Sequence, residues 1–125
     1  MKYISKRQVL LLHEQLIDNF GGSYGLREES LLDSSLNAPL QTFDNKELYP
    51  TLTSKAARLA YGIISNHPFV DGNKRIGAHT MLLLLAINGI ELSYSDNDLI
   101  NVIMKVASGD LNHRDLEKWI EEHII

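Results

Sequence analysis

The chain has 125 residues, no cysteine, and a net charge of −4 from 12 basic and 16 acidic side chains spread along its length. One compact domain spanning residues 1–125 is expected, since a chain of this size can bury about two-thirds of its unfolded surface, and the missing cysteines exclude disulfides, thiolate catalysis and sulfur-ligated zinc. Broad nucleic-acid binding is not expected at this charge, and the longest apolar run, residues 81–87, is too short to cross a bilayer, so a soluble, cytoplasmic protein with no membrane attachment is expected.

Helical periodicity dominates. Val9, Leu12, Leu16 and Phe20 recur at helical spacing after Ser5, a cap, and Gly21-Gly22 supplies a stop, so a first helix is predicted over 6–19. A short second helix is predicted over 27–36, with Leu31, Leu32 and Leu36 on its buried stripe and Pro39 opposing continuation. From 38 to 50 the pattern is lost, which reads as a loop or a short hairpin. Thr51 caps a third helix with Leu52, Ala56, Leu59, Ala60 and Ile63 facing inward. That helix is expected to end at Asn66, because Pro68 biases His67 away from helical geometry.

After Asp71-Gly72, a helix over 73–87 is so apolar that it belongs in the centre of the fold. Asn88-Gly89 ends it. Ser95 with Asp98 forms a capping-box start for a helix carrying Leu99, Ile100, Ile103 and Ala107, closed by Gly109. Asn112 caps a last helix whose Leu116, Trp119, Ile120 and Ile124 face inward. About six helices and no convincing sheet make the fold all-α, a compact helical bundle.

The informative stretch is HPFVDGNKR, residues 67–75, on the loop leading into the apolar helix. A helix N-terminus carries unpaired backbone N–H groups and partial positive charge, and Gly72 lets an anion approach it. Lys74 and Arg75 add full charges. Asp71 is a hard oxygen ligand suited to Mg²⁺ held also by nucleotide phosphates. Histidine is the side chain suited to proton transfer near neutral pH, so His67 is a candidate to take a proton from an attacking hydroxyl. Base, metal ligand, anion cradle and cations together make a phosphoryl-transfer kit. Singly, each has a plainer reading: a histidine at a helix end, a common turn, a helix cap at Asn73, a solvated basic pair. Their conjunction within nine residues favours function.

HPFVDGNKR resembles the signature loop of the Fic/Doc family, in particular its death-on-curing toxins of bacterial and phage toxin–antitoxin pairs. The upstream stretch GGSYGLREESLLDSSLNAP, residues 21–39, is also similar to that branch. The resemblance implies a Fic-type helical fold in which His67 activates the target hydroxyl, Asp71 holds Mg²⁺, and Gly72, Asn73, Lys74 and Arg75 bind ATP phosphates. The broader Fic pattern has a second glycine where Lys74 stands and a further arginine where Ala78 stands. Both departures point away from AMP transfer. The death-on-curing branch implies a toxin acting as a protein kinase, passing the γ-phosphate of ATP to a threonine hydroxyl of translation elongation factor Tu and arresting translation. It also implies an antitoxin partner.

Two rival readings are an AMP transferase sharing the pocket and a catalytically silent, antitoxin-binding regulatory subunit. By position, residues 38–50 match the flap over which Fic proteins align their target, with a plain connecting loop as the equal alternative. His13, His79, His113 and His123 form no metal-ligand spacing and are expected to be structural or at the surface, although His79, on the motif helix, could face the pocket. Arg27, Glu28 and Glu29 are expected to be ordinary residues of a first helical turn.

Overall fold

The computed structural model describes all 125 residues. Six α-helices follow in chain order: α1 (Lys6–Phe20), α2 (Glu29–Asn37), α3 (Leu52–Asn66), α4 (Asn73–Ile87), α5 (Asp96–Ala107) and α6 (His113–Glu122). A 3₁₀ turn (Ala38–Leu40) and a small antiparallel hairpin, β1 (Thr42–Phe43) with β2 (Lys46–Glu47), separate α2 from α3. The fold is all-α, and the irregular stretch resolves as the hairpin alternative. Its turn residues Asp44 and Asn45 both have positive φ, which short polar side chains tolerate and which matches the twist of a two-residue hairpin.

Local chemistry sets the helix starts. Ser5, Thr51, Ser95 and Asn112 each accept from an N–H of the first turn, and the residue three positions on bonds back to the cap backbone. Each cap contributes about 1 kcal/mol. The second helix begins two residues later than expected. The N–H groups of Arg27 and Glu28 both donate to the Pro68 carbonyl, at 2.7 and 3.0 Å, so this segment pairs with the motif loop instead of coiling.

The core is one cluster of 22 residues drawn from all the helices. α4 lies in it as expected and packs along α3, which also contacts α2, α5 and α6. The two helices approach closely because residue 77 is glycine: a Cβ there would stand 2.7 Å from Ile64 Cγ1. Some inward assignments need correction. Phe20, Ile100, Ala107 and Ile124 are exposed, while His13 and Ile17 on α1 and Val102 and Val106 on α5 are buried. No helix is long and apolar enough to cross a membrane.

Candidate active site

The end of α3, the loop and the start of α4 bring residues 67–75 to one edge of the bundle. His67 leaves α3 in the left-handed region (φ 50°, ψ 57°), so the helix stops where Pro68 demands. That conformation costs a non-glycine residue about 1 kcal/mol or more. Arg27 offsets it from across the loop, donating through Nε to the His67 carbonyl at 2.7 Å and through Nη2 to the Asn66 carbonyl at 2.9 Å. The His67 backbone is therefore fixed. Its imidazole is exposed and makes no hydrogen bond within the chain.

Below the surface the loop is anchored by Phe69, which is fully buried and stacked on the His13 ring with centroids 3.8 Å apart. His13 Nε2–H also donates to the Asp71 carbonyl at 2.8 Å. An antiparallel bridge between Leu26 and Phe69, with Val70 N–H donating to the Gly25 carbonyl, stitches the loop to the 25–28 segment. The Asn73 side chain closes the turn. Its Oδ1 accepts from the Phe69 N–H and its Nδ2 donates to the Phe69 carbonyl, both at 3.0 Å. Asn73 thus spends its amide on the loop, leaving its backbone N–H for any anion.

Asp71 is exposed, and its two carboxylate oxygens accept from the N–H groups of Ser23 (3.0 Å) and Gly72 (2.8 Å). Gly22 allows the first contact, since a Cβ there would lie 2.6 Å from Asp71 Oδ2. A carboxylate offers about four lone-pair sites. Asp71 therefore keeps capacity for a cation. Mg²⁺ is usually held by one or two carboxylates together with water and phosphate oxygens, and Asp71 is one such carboxylate.

Gly72 starts α4 in the left-handed conformation (φ 77°), and no side chain caps the helix. The first intrahelical bond runs from the Ile76 N–H to the Gly72 carbonyl, so the N–H groups of Asn73, Lys74 and Arg75 have no acceptor in the chain. Three parallel donors at a positive helix end form an anion cradle. Lys74 and Arg75 are exposed beside it and unpaired with any acid. The Arg75 guanidinium lies 4.8 Å over the Phe20 ring, which is the role Phe20 takes in place of core packing. One turn on, burial and then the Arg75 charge push the His79 imidazole below its ordinary pKa. Ala78, where the broader pattern has arginine, is buried.

All six candidate residues share this edge: His67, Asp71, Gly72, Asn73, Lys74 and Arg75. Chemically, the edge can hold an oxyanion, ligate a hard cation and accept a proton. His13, expected to be structural or at the surface, and Arg27, expected to be an ordinary residue of a helical turn, both anchor the loop. His13 carried a signal, because it sits four residues from both Val9 and Ile17 on the buried face of α1. Arg27 carried none.

A match to the Fic/DOC family covers residues 3–85. Toxin Doc of Mycolicibacterium smegmatis (strain ATCC 700084 / mc(2)155) is 39% identical over 74 residues, or 59% of this chain and 57% of that protein. The matched part of this chain thus spans little more than half of that relative's length. Protein kinase doc of Escherichia phage P1 is 23% identical over 112 residues, 90% of this chain and 87% of the phage protein. With the family match running from before α1 to near the end of α4, the motif loop included, the chain belongs to the Fic/DOC family.

Proposed function

We propose that the protein is the toxin of a toxin–antitoxin pair and an ATP-dependent protein kinase acting on a threonine of translation elongation factor Tu. The observation that carries the phosphotransfer is the juxtaposition of a free His67 imidazole with three acceptorless N–H groups at the start of α4. Similarity to a phage protein kinase and a mycobacterial toxin supports the class. The target and the antitoxin partner rest on the family resemblance. The reactive side chains also lie on the open surface, whereas a nearby cavity of about 440 Å³ is lined by Leu10, His13, Glu14, Tyr24, Gly25, Leu26 and Phe69. An open edge suits a protein acceptor.

In this reading the backbone N–H groups of Asn73, Lys74 and Arg75, with the two cationic side chains, hold the terminal phosphate of ATP and stabilise its equatorial charge. His67 accepts the proton of the acceptor hydroxyl as that oxygen bonds to the γ-phosphorus and the bond to the ADP oxygen breaks. Asp71 would hold Mg²⁺, which when bound neutralises phosphate oxygens. Lys74, in the place of a second glycine, puts a charge where AMP transfer would need open space.

The test is incubation with elongation factor Tu and ATP labelled at the α or the γ phosphate. Label should pass from the γ position alone. Transfer from the α position alone would replace the kinase reading with AMP transfer. His67→Ala should lower transfer by about 10²-fold or more, as expected for loss of a general base, and should abolish growth inhibition. Undiminished toxicity would favour the silent, antitoxin-binding alternative.

A further inference from the structure

Away from the motif loop, nine residues before His67 on α3, Arg58 is the centre of a second cluster of polar side chains. The helical rise separates the two positions by about 13 Å along the axis. Arg58 Nε donates to Tyr49 Oη at 3.1 Å. Its other two nitrogens donate to nothing, and Nη1 is the one fully buried side-chain nitrogen or oxygen in the chain with no hydrogen-bond partner. No acid pairs with it: the ion pairs of the molecule are those of Lys6 and Lys55. A desolvated guanidinium nitrogen without an acceptor costs free energy that a bound acceptor would remove.

The surroundings are shaped around that group. Tyr49 and Tyr61 present ring faces to the guanidinium, 5.9 and 5.4 Å from its carbon. His113, the first residue of α6, meets both tyrosines edge-on at 5.5 and 5.7 Å. Gly62, one turn along α3, lets Nη1 lie close against the helix, since a Cβ there would stand 3.3 Å from Nη1. Burial and then the charges of Arg58 and Arg114 hold His113 below its ordinary pKa, only partly opposed by Asp115. Two positive charges, Arg58 and Arg114, act on His113 against one acid, Asp115.

We propose that Arg58, walled by Tyr49 and Tyr61 and flanked by His113, is a binding site for an oxyanion of carboxylate or phosphate type. The guanidinium fork suits both chemistries, because either presents two oxygens to two parallel N–H groups. Tyr49 Oη accepts from Nε and keeps its own proton to donate. The site shares no residue with the motif loop, and its occupancy requires no turnover.

The test is an NMR titration of the full chain with sodium acetate and, separately, with sodium phosphate, at constant ionic strength held by chloride. The probes are the His113 ring and the Arg58 Nε–H. Both should shift saturably with at least one of the two anions, and the bound anion should raise the His113 pKa. Saturation by acetate alone assigns an acidic side chain as the natural ligand, and saturation by phosphate alone assigns a phosphate group. Arg58→Met should weaken that response at least tenfold while leaving the shifts of residues 72–75 unchanged. If Arg58→Met fails to fold, Gly62→Ala, which crowds Nη1 and keeps the charge, should weaken it by several-fold. A response linear in anion concentration and equal in the variants overturns the proposal. So does a fixed water on Nη1 with no saturable response.

Discussion

At the scale of single residues, the loop separates side chains without a hydrogen-bond partner in the chain, those of His67, Lys74 and Arg75, from side chains that hold the loop together. Asn73 belongs to the second kind in its side chain, since both amide atoms are bonded to the Phe69 backbone. Asn73→Ala should leave a largely buried N–H and C=O unpaired, costing about 2 kcal/mol in urea unfolding, with transfer activity falling alongside. His13→Phe keeps a ring against Phe69 but loses the bond to the Asp71 carbonyl. Stability should drop by about 1 kcal/mol, and kcat should fall with the KM for the protein acceptor little changed, because Asp71 loses its anchor while the surface stays intact. An unchanged kcat would remove His13 from the positioning of the loop. That His67, Asp71 and the basic pair share one edge of the bundle was legible in the sequence because they fall within nine consecutive residues. The partners of His13 and Arg27 were not, because their contacts cross 58 and 40 positions, and no local pattern encodes a partner that distant.

At the scale of elements, what was legible was what is decided locally. The four capped helices begin where Ser5, Thr51, Ser95 and Asn112 place them, and α3 ends ahead of Pro68. The errors fall where tertiary pairing overrides propensity: α2 starts late because two of its expected amides serve the Pro68 carbonyl. On α5, Ile100 looked inward by spacing, yet Val102 and Val106 occupy the face that α3, α4 and α6 cover. Periodicity fixes how wide a stripe is more firmly than its phase. The α3–α4 crossing, which sets the geometry of the motif loop between them, depends on Gly77. Gly77→Ala should destabilise the fold by about 1–3 kcal/mol through overpacking against Ile64. Ile64→Ala alone should also be costly as a cavity. In the double variant the new methyl fills part of that cavity, so a denaturation cycle should show a loss smaller than the sum of the two. Additivity would mean that the helices do not meet at this pair.

At the scale of the whole molecule, the titrating groups give stability a plateau with two shoulders. Burial first, and then neighbouring positive charge, lowers the pKa of both His79 and His113. Below an unfolded value of about 6.5, the unfolded chain takes up protons that the folded chain refuses. Stability should therefore fall as pH drops through 6.5 and level off below the folded values. On the alkaline side burial raises Tyr3, and hydrogen bonds to Asp33 and Glu29 raise Lys6. Above their unfolded values of about 10 and 10.4, the unfolded chain releases protons that the folded chain retains, so stability falls again as pH rises. Glu117 runs against the acid shoulder: burial, then Glu121, raises it, so its protonation favours the folded state at low pH. Melting temperature should accordingly be flat from about pH 7.5 to 9 and decline on both sides. His113→Gln should shallow the acid shoulder alone, and Tyr3→Phe the alkaline shoulder alone, although the latter also loses the bond from Tyr3 Oη to the Leu36 carbonyl and so lowers the plateau. An acid shoulder as steep in His113→Gln as in the parent chain would show that His113 is neutral or charged to the same degree in both states, and would assign the acid loss to His79.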